Sequence, residues 1–483
     1  MAVRNGQQYI EGLRDGREVW YGGERVEDVT VFPEFKTSIE SMATLYDMQH
    51  DPAYRDVLVA ESSDFAEPIG RAFEIPRTAD QLRLKREAYA IWARSNCGML
   101  GRSPDFLNVM LAALAAKRSF FAEGGEARAD AVVNYHRYIA THDLFLTHAL
   151  LDPQLDKGKT RDKQSDPAIA LQVIDENSDG IVLHGIKRIA TAAPYADEIL
   201  VWPFPPTFQA GEENYANVFA VPMATPGLKT ICRSSFTRHG SRRDFPLSSR
   251  FDEMDGTVVF DHVLVPWERV FVHKNVPLLN RMYRESRMRE LTAHQTNSRL
   301  EVKLAFVYAL VHRMAEAQGL DTRPEIMEML GEAVVRLEVI RSTTRSAEQQ
   351  ATVDPENGVI YPDLVALQAG RALGPVYYPE LIDMVRRMGG GALVQLPHTM
   401  DEFDSPIAAD IERAMRGVDR DGQEKSQLLK LAWDLCGSEF GSRHVLYEKN
   451  YAGERSALMA GIQREYGRRG EHLDFLDDFL ARL

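Results

Sequence analysis

The chain has 483 residues, of which 44% are hydrophobic and 27% are charged. This length exceeds what one compact core usually fills, so we expect two or three domains, and the composition leaves little room for extended disorder. The formal net charge of -14 argues against nucleic acid as a main partner, because binding to phosphates requires a basic surface.

The sequence also lacks the motifs of several common kinds of site. No run of about 18 apolar residues occurs, so the sequence predicts no membrane-spanning helix. Residues 1–30 lack the apolar core of a secretory signal, and Cys97, Cys232 and Cys436 are few and scattered, so we expect a cytoplasmic protein. No CxxC or HExxH motif is present, and no metal site is predicted. The fingerprints GxGxxG and GxxxxGK[ST] of nicotinamide and P-loop sites are also missing.

The sequence predicts helices in the N-terminal part of the chain. Thr78 and Gln81 have the spacing of a capping box at the start of a helix. A second helix is predicted from about Asp130 to Leu150, ending at Asp152-Pro153, because proline disfavours helical geometry in the residue before it. We expect this helical domain to cover residues 1–150.

Short segments rich in Val, Ile, Phe and Tyr follow from about residue 165 to 272. Turn signals such as Asp179-Gly180 and Asp255-Gly256 separate them, which is typical of antiparallel strands. We expect a β domain over residues 151–275, with strands in the segments 181–190, 198–204, 215–223 and 257–267.

Helical periodicity returns from about residue 285, where Leu300, Leu304, Val307 and Val311 mark one apolar face. Further helices are predicted at 324–350, 376–388 and 423–448, as a bundle over residues 276–483. The resulting α+β chain, with helices before and after a β domain, resembles the acyl-CoA dehydrogenase-like flavoproteins. That resemblance implies an antiparallel β-barrel in the middle.

Several sequence segments, in the same order along the chain, indicate a more specific resemblance than the fold order alone. Over more than 400 residues the sequence resembles the 4-hydroxyphenylacetate 3-monooxygenase family, oxygenase component. The strings are the opening segment 5–33, GRSPDFLN (101–108), THALLDPQ (147–154), FPLSSR (245–250), MDGTVVFDHVLVPWERVF (254–271), AHQ (293–295) and LAWDLCGSEFGSRHVLYE (431–448).

The resemblance implies a two-component phenol hydroxylase. Such an enzyme inserts one oxygen of O2 ortho to a phenolic hydroxyl, through a flavin C4a-hydroperoxide, and releases a catechol. FAD acts as FADH2, and a separate NAD(P)H:flavin reductase supplies it, which agrees with the missing nicotinamide fingerprint. The family also implies a homodimer or homotetramer assembled through the C-terminal bundle, with FAD between the domains.

This chemistry requires a dry pocket, a donor that stabilises developing negative charge, and a group that takes or orients the phenol proton. A phenol has a pKa near ~10, and a histidine near ~6.5 can accept its proton as oxygen transfer proceeds. The resemblance places Arg102 at the phenol oxygen or at the peroxide, and His148 at the phenol. His294 is a rival base, and we favour His148. Phe106 stands where the family has a tyrosine, so a larger or more apolar phenol becomes plausible.

The resemblance also implies residues for FAD. His148 lies beside flavin and substrate in the family, and Gln154 and Thr191 match positions that contact the isoalloxazine region. The triplet Gly389-Gly390-Gly391 allows either of two interpretations. Its backbone approaches the FAD diphosphate, or it only caps the helix at 376–388.

Two other functions stay open on the same fold. The first is a CoA-ester dehydratase or dehydrogenase. A dehydratase of this superfamily holds an iron–sulfur cluster with three cysteines and one histidine, but the second cysteine would stand at Gly101 and another just after His294. A dehydrogenase needs a carboxylate base and a CoA channel, and neither is identifiable. The second is a non-catalytic flavin-binding protein, against which Arg102 and His148 argue.

Overall fold

Helices at both ends of the chain enclose a strand-rich middle in the computed structural model, which describes residues 3–204, 207–451, 453 and 455–483. The helices before residue 150 are α1 (Gly6–Gly12), α2 (Pro33–Met48), α3 (Arg55–Leu58), α4 (Ala79–Ser95), α5 (Pro104–Ala116), α6 (Arg118–Ala122) and α7 (Glu126–His142). The capping box predicted at the start of α4 is confirmed, since Thr78 and Gln81 each bond the other's backbone.

The helix predicted from Asp130 to Leu150 is wrong at its C-terminal end. Helix α7 ends at His142, and Asp143 follows in the left-handed region with φ 50°. The chain then forms a strand over Leu146–Ala149 that pairs in parallel with a strand at Glu198–Val201. The apolar run at 144–151 allows helix and strand alike, and this tertiary pairing selects the strand.

Most of the described strands form two main sheets. In chain order the strands are β1 (Glu18–Tyr21), β2 (Glu24–Val26), β3 (Val59–Ala60), β4 (Ile69–Gly70), β5 (Leu146–Ala149), β6 (Gln172–Glu176), β7 (Gly180–Thr191), β8 (Glu198–Val201), β9 (Val218–Pro222), β10 (Leu228–Cys232), β11 (Asp255–Pro266), β12 (Val270–Val272), β13 (Thr352–Val353) and β14 (Ile360–Tyr361). Strands β7, β8, β9 and β11 confirm the four predicted strand segments.

The sheet topology differs from the expected antiparallel barrel. One sheet has six strands in the order β2-β1-β10-β11-β7-β6, and the other has four in the order β12-β9-β8-β5. Neither order returns to its first strand, so the barrel prediction is wrong for the described residues. The pairs β1–β10 and β5–β8 are parallel, and β1, β2 and β5 precede residue 150. The predicted division at residues 150 and 275 stays a prediction.

The C-terminal half is helical. Its helices are α8 (Val276–Glu285), α9 (Met288–Glu316), α10 (Pro324–Gln349), α11 (Leu364–Gly389), α12 (Ala408–Met415), α13 (Gly422–Cys436), α14 (Glu439–Asn450), α15 (Arg455–Glu465) and α16 (Arg469–Leu480). Helix α9 lies at the centre and packs against α4, α5, α10 and α11. The predicted apolar face of α9 is confirmed, because all four of its marker side chains are buried in the main core.

Two helix predictions in this half need correction. Helix α11 starts twelve residues before the predicted position 376 and runs through Pro375 and Pro379, which tertiary packing tolerates inside this helix. The predicted helix 423–448 is two helices, because the chain breaks at Gly437 and Ser438 accepts a bond from the Gly441 amide as N-cap of α14. Within the described ranges, no helix combines the length and apolar character needed to cross a membrane.

Candidate active site

Arg102 lies in the loop between α4 and α5. Its backbone N–H donates to Glu253 Oε1 at 2.6 Å, which ties this loop to the segment before β11. Pro104 begins α5 directly afterwards, a position at which proline is well tolerated. The Arg102 guanidinium is therefore presented from a loop that is fixed at both ends.

His148 reaches the same place from β5. It lies opposite Leu200 in the parallel register of β5 and β8, and it is buried. Arg102 Nε donates to His148 Nε2 at 3.0 Å, so this nitrogen must carry a free electron pair. The proton of the neutral ring is then on Nδ1, which is buried and has no hydrogen-bond partner.

Electrostatics keep this histidine neutral. Burial, and then the Arg102 charge, lower the pKa of His148 well below its ordinary value. The ordinary histidine pKa assumed from the sequence therefore does not apply. His148 accepts a hydrogen bond readily, but it holds a full proton only when a new anion is beside it.

The Arg102–His148 pair opens into a cavity of about 80 Å³. Phe106 forms one wall, with the Arg102 Cζ atom 4.1 Å from the centre of its ring. The Trp202 ring packs against the His148 ring at a tilted angle, with the ring centres 5.4 Å apart. Most of this wall is aromatic or apolar, and among the described residues the lining consists of Arg102, Phe106, Met110, His148, Leu150, Trp202, Phe204, Tyr283, Met288, Thr292, Thr296, Arg371, Tyr451 and Gly453.

Tyr447 also holds Arg102, and the sequence analysis assigned no role to this residue. Arg102 Nη1 donates to Tyr447 Oη at 2.6 Å. A Cβ atom at Gly101 would overlap this hydroxyl, so glycine at 101 is what lets the tyrosine reach the loop. Tyr447 is within the matched string 431–448, which was the available signal, but that string could not show which of its side chains faces the site.

Two further cavity residues were missed as well. Arg371 on α11 donates to Tyr283 Oη at 3.3 Å, while its Nε is buried without a partner. Tyr451 follows α14, and its hydroxyl is also buried and unpartnered. Arg371 and Tyr451 lie outside the predicted helices 376–388 and 423–448 and outside the matched strings, so no signal distinguished them.

His294, the rival base, lies elsewhere. It is fully buried on α9, and its Nε2 pairs with Glu348 Oε1 at 2.7 Å. Burial lowers the pKa of His294, which the Glu348 carboxylate partly offsets. From the same helix, Thr292 and Thr296 line the cavity, and among the described lining residues His294 does not occur.

The residues predicted for FAD are not brought together in the cavity lining. Gln154 is exposed in the loop after β5. Thr191 ends β7, where its hydroxyl donates to Asp255 Oδ1 at 2.7 Å, and its carbonyl accepts from Thr147, the neighbour of His148. Gly389 ends α11, and Gly390, with φ 48°, serves as its C-cap, while the positions of Gly390 and Gly391 are open to solvent.

The dehydratase alternative does not match the geometry. Gly101, where a second thiolate ligand would stand, has no space for a side chain beside Tyr447. Burial raises the pKa of the Cys97 thiol to about 11, which disfavours the thiolate that a cluster needs. Among the described residues, the possible ligands His184, Asp261 and His262 come within 4.8 Å of one another, on the exposed side of β7 and β11.

Comparison with known families agrees with this geometry. The N-terminal model of 4-hydroxyphenylacetate 3-hydroxylase matches residues 5–272, and the C-terminal model matches residues 279–481. The chain belongs to the 4-hydroxyphenylacetate 3-hydroxylase family. The oxygenase component of 4-hydroxyphenylacetate 3-monooxygenase from Thermus thermophilus is 39% identical over 468 residues, which are 96% of this chain and 95% of that protein.

Solved structures of this family have the same fold. A crystal structure of such an oxygenase component, complexed with FAD and 4-hydroxyphenylacetate, has a TM-score of 0.94 at 38% identity and covers 99% of this chain and 98% of that one. A 4-hydroxybutyryl-CoA dehydratase from N. maritimus has a TM-score of 0.88 at 19% identity, covers 99% of this chain and 95% of that one, and shares the fold alone. The predicted family, the flavin-dependent monooxygenase class and the FAD cofactor are confirmed.

Proposed function

We propose that this 4-hydroxyphenylacetate 3-hydroxylase family member hydroxylates a phenol ortho to its hydroxyl and releases a catechol and water. The observation that carries the proposal is the Arg102 Nε–His148 Nε2 pair, 3.0 Å apart, at an aromatic cavity. A phenol placed there meets one cationic donor, the Arg102 guanidinium, and one neutral acceptor, His148 Nε2, once the phenol hydroxyl takes the place of the Arg102 Nε–H on that nitrogen. The acceptor orients the hydroxyl proton, and the guanidinium stabilises negative charge on the phenol oxygen.

FAD fits the residues present. His148 Nδ1 and Tyr451 Oη are buried polar atoms without partners, and they border an apolar, aromatic space that suits a flat ring with polar edges. When bound in reduced form, FAD supplies the electrons that activate O2. We assign its ring to His148, Gln154 and Thr191, and its diphosphate to Gly389, Gly390 and Gly391.

The apolar wall protects this chemistry. Phe106, Trp202 and Met110 exclude water from the space beside His148, which prevents loss of the oxidant to solvent. Phe106 also lies under the Arg102 guanidinium and so limits how the guanidinium can turn. A phenyl ring in place of a phenol removes a hydrogen-bond donor from this wall and favours a more apolar ring in the substrate.

The proposal extends to the partners. A separate NAD(P)H:flavin reductase supplies reduced FAD, as the name oxygenase component of the Thermus thermophilus relative indicates for that protein. The chain assembles as a homotetramer or homodimer, which the exposed apolar side chains of α16 support. The three free cysteines support a cytoplasmic location.

A panel of para-substituted phenols tests the function. The protein is mixed with FAD, NADH, O2 and a generic flavin reductase, and catechol formation is measured by chromatography. We expect catechol from at least one phenol, in an amount that matches the O2 not recovered as H2O2. The proposal fails if no phenol gives catechol, and the two-component part fails if the chain turns over with FAD and NADH alone.

A further inference from the structure

Three potential metal ligands lie together on the six-stranded sheet, outside the cavity lining. They are His184 on β7 and Asp261 and His262 on β11, and their ligand atoms all lie within 4.8 Å of one another. Across the described residues, this is the single group of three histidine, cysteine or carboxylate side chains that comes so close. None of the three belongs to the described cavity lining, so the proposed chemistry leaves them without a role.

An irregularity of the strand pair brings these side chains together. The register of β7 and β11 shifts by one residue here, so Asp261 and His262 together face His184. This is a β-bulge, a feature that re-aims side chains. His262 has φ 55°, in the left-handed region that favours glycine, and the Asp261 amide donates to the Gly227 carbonyl at 3.0 Å. The fold therefore fixes the backbone that carries the three side chains.

The distances between the ligand atoms suit a small metal ion. His262 Nδ1 lies 2.8 Å, and His184 Nδ1 lies 3.7 Å, from the same Asp261 Oδ1 atom. Zinc binds histidine nitrogen and carboxylate oxygen at about 2.0–2.2 Å, so neighbouring ligands of a tetrahedral site are roughly 3.3 Å apart. The two observed distances lie on either side of this value. All three side chains are partly exposed, so small rotations can adjust them.

The atoms themselves are available to an ion. His184 Nδ1 is buried and makes no hydrogen bond to the described residues, although its side chain is 38% exposed. Asp261 is an exposed carboxylate and is therefore ionised at neutral pH. Lys229 on the neighbouring strand β10 is close enough to act on Asp261, but it also lies 3.8 Å from the Glu18 carboxylate, which offsets its charge.

We propose that His184, Asp261 and His262 form a binding site for a divalent transition-metal ion, with Zn²⁺ as the best match. Two imidazoles and one carboxylate favour such an ion over Mg²⁺ and Ca²⁺, which take oxygen ligands. Each neutral ring binds the ion through Nδ1 and keeps its proton on Nε2. Water completes the coordination from the exposed side. The bound ion links β7 to β11 across the bulge.

This site goes beyond the proposed function and does not depend on it. It shares no residue with the described cavity lining, so absence of catechol from every phenol would leave it unaffected. The sequence predicted no metal site, because the ligands come from two separate strands and match no common motif spacing. Its effect is expected on stability, since an ion that binds only the folded chain stabilises that chain.

Calorimetric titration of the full chain with ZnCl2 and with MgCl2 tests the proposal. The protein carries no affinity tag and is first freed of metal with a chelator. We expect stoichiometric binding of Zn²⁺, no comparable binding of Mg²⁺, and a higher midpoint of thermal unfolding with Zn²⁺. His184→Ala should weaken Zn²⁺ binding by at least about 100-fold, because loss of an outer-shell partner alone costs about 10–100-fold.

Two more variants and a control complete the experiment. Asp261→Asn removes the charged ligand, and His262→Asn places a residue that tolerates positive φ at the bulge. Each should lose Zn²⁺ affinity as His184→Ala does. His239→Ala is the matched control and should bind Zn²⁺ as the wild type does, because exposed His239 pairs with the single carboxylate of Glu34, at 2.9 Å.

Three results would overturn the proposal. They are a wild type that takes up no Zn²⁺, equal Zn²⁺ affinities in the wild type and in His184→Ala, and Mg²⁺ binding as tight as that of Zn²⁺. Thermal unfolding without metal shows whether each variant is folded. If His184→Ala is not folded, the same criteria apply to His262→Asn.

Discussion

At the scale of single residues, the Arg102–His148 contact defines two different tasks. His148 is kept neutral by burial and by the adjacent Arg102 charge, so in the proposed function its ring can accept a hydrogen bond from the phenol hydroxyl. The donor remains positively charged and has no carboxylate beside its guanidinium among its described hydrogen bonds. Such a pair favours a substrate that becomes more negative as it reacts.

Replacement of the acceptor should separate oxygen consumption from hydroxylation. In His148→Ala, catechol formation is expected to fall by about 10²–10⁴-fold, because the phenol proton is no longer oriented. Reduced FAD should still bind, and the O2 consumed should appear as H2O2. His294→Ala is the comparison, since His294 pairs with Glu348 outside the cavity lining. Loss of catechol in His294→Ala, with normal coupling in His148→Ala, would reverse the assignment of the base.

Tyr447 should act through Arg102. Burial raises the pKa of Tyr447, so its oxygen stays a neutral acceptor for Arg102 Nη1. Tyr447→Phe removes this acceptor and frees the guanidinium to turn, and kcat/KM for the phenol should fall about 10-fold. FAD affinity should not change. The measurement is the fraction of consumed O2 that is recovered in catechol. The control is Tyr54→Phe, because Tyr54 is exposed. An unchanged fraction in Tyr447→Phe would contradict the positioning role.

Helix α14 supplies several of the side chains that support the site. Its inward face presents Arg443, His444, Tyr447 and Glu448, and Tyr451 follows one turn later. This spacing places the Glu448 carboxylate against α9, the Tyr447 hydroxyl against Arg102, and Tyr451 at the cavity. The break at Gly437 and the N-cap at Ser438 set the angle at which α14 enters.

Glu448 should be important for stability. It accepts from Arg299 Nη1 at 2.8 Å and from Lys303 Nζ at 2.9 Å, and all three side chains are buried. Glu448→Gln leaves two buried cations without their anion, so the free energy of unfolding should fall by about 3–5 kcal/mol. Chemical denaturation followed by circular dichroism measures this loss. The exposed Glu67→Gln should show none, and equal midpoints for the two variants would contradict the role of Glu448.

Elements with a strong local signal were predictable from the sequence, whereas those selected by tertiary contacts were not. The capping box of α4 and the apolar face of α9 are local patterns, and both were correct. Strand β5 was taken as helix, because only pairing with β8 reveals it. The first half of α11 was not predicted, because Pro375 and Pro379 disfavour a helix in the sequence. How much a proline destabilises a helix depends on tertiary packing, which the sequence alone does not show.

The same distinction applies to the site. Arg102, His148 and Phe106 lie in matched strings, and the structure brings these three to one cavity. Arg371 and Tyr451 come from helical segments about 80 residues apart, at 371 and 451. Their convergence depends on how α11 and α14 pack, so no local motif could indicate it.

For the whole molecule, the pH dependence of stability should reflect buried neutral histidines. Burial lowers the pKa of His136 to about 4. The unfolded chain, with a histidine pKa near ~6.5, then binds more protons, so stability is full above about pH 6.5 and is lost as the pH falls toward 4. Between pH 7 and 5 the wild type should lose about 2 kcal/mol more than His136→Gln. Urea denaturation at both pH values measures this difference. An equal loss of unfolding free energy in the wild type and in His136→Gln would contradict the prediction.

Assembly should depend on α16. Phe475 and Phe479 on this helix are 78% and 56% exposed, with Leu473, Leu476 and Leu480 also exposed beside them. A surface of this kind is expected to be covered by a second copy of the chain. The wild type should sediment as a dimer or tetramer, and the double variant F475D/F479D should shift toward monomer. A stable wild-type monomer that binds FAD would contradict the proposed assembly.

The contact between Gly101 and Tyr447 restricts the order in which mutations can accumulate in this fold. Any side chain at 101 collides with the Tyr447 hydroxyl, so even Gly101→Ala must displace the group that holds Arg102. A larger residue at position 101 therefore requires that the Tyr447 ring move or be replaced, so the two positions are sterically coupled and their substitutions should have non-additive effects on the placement of Arg102.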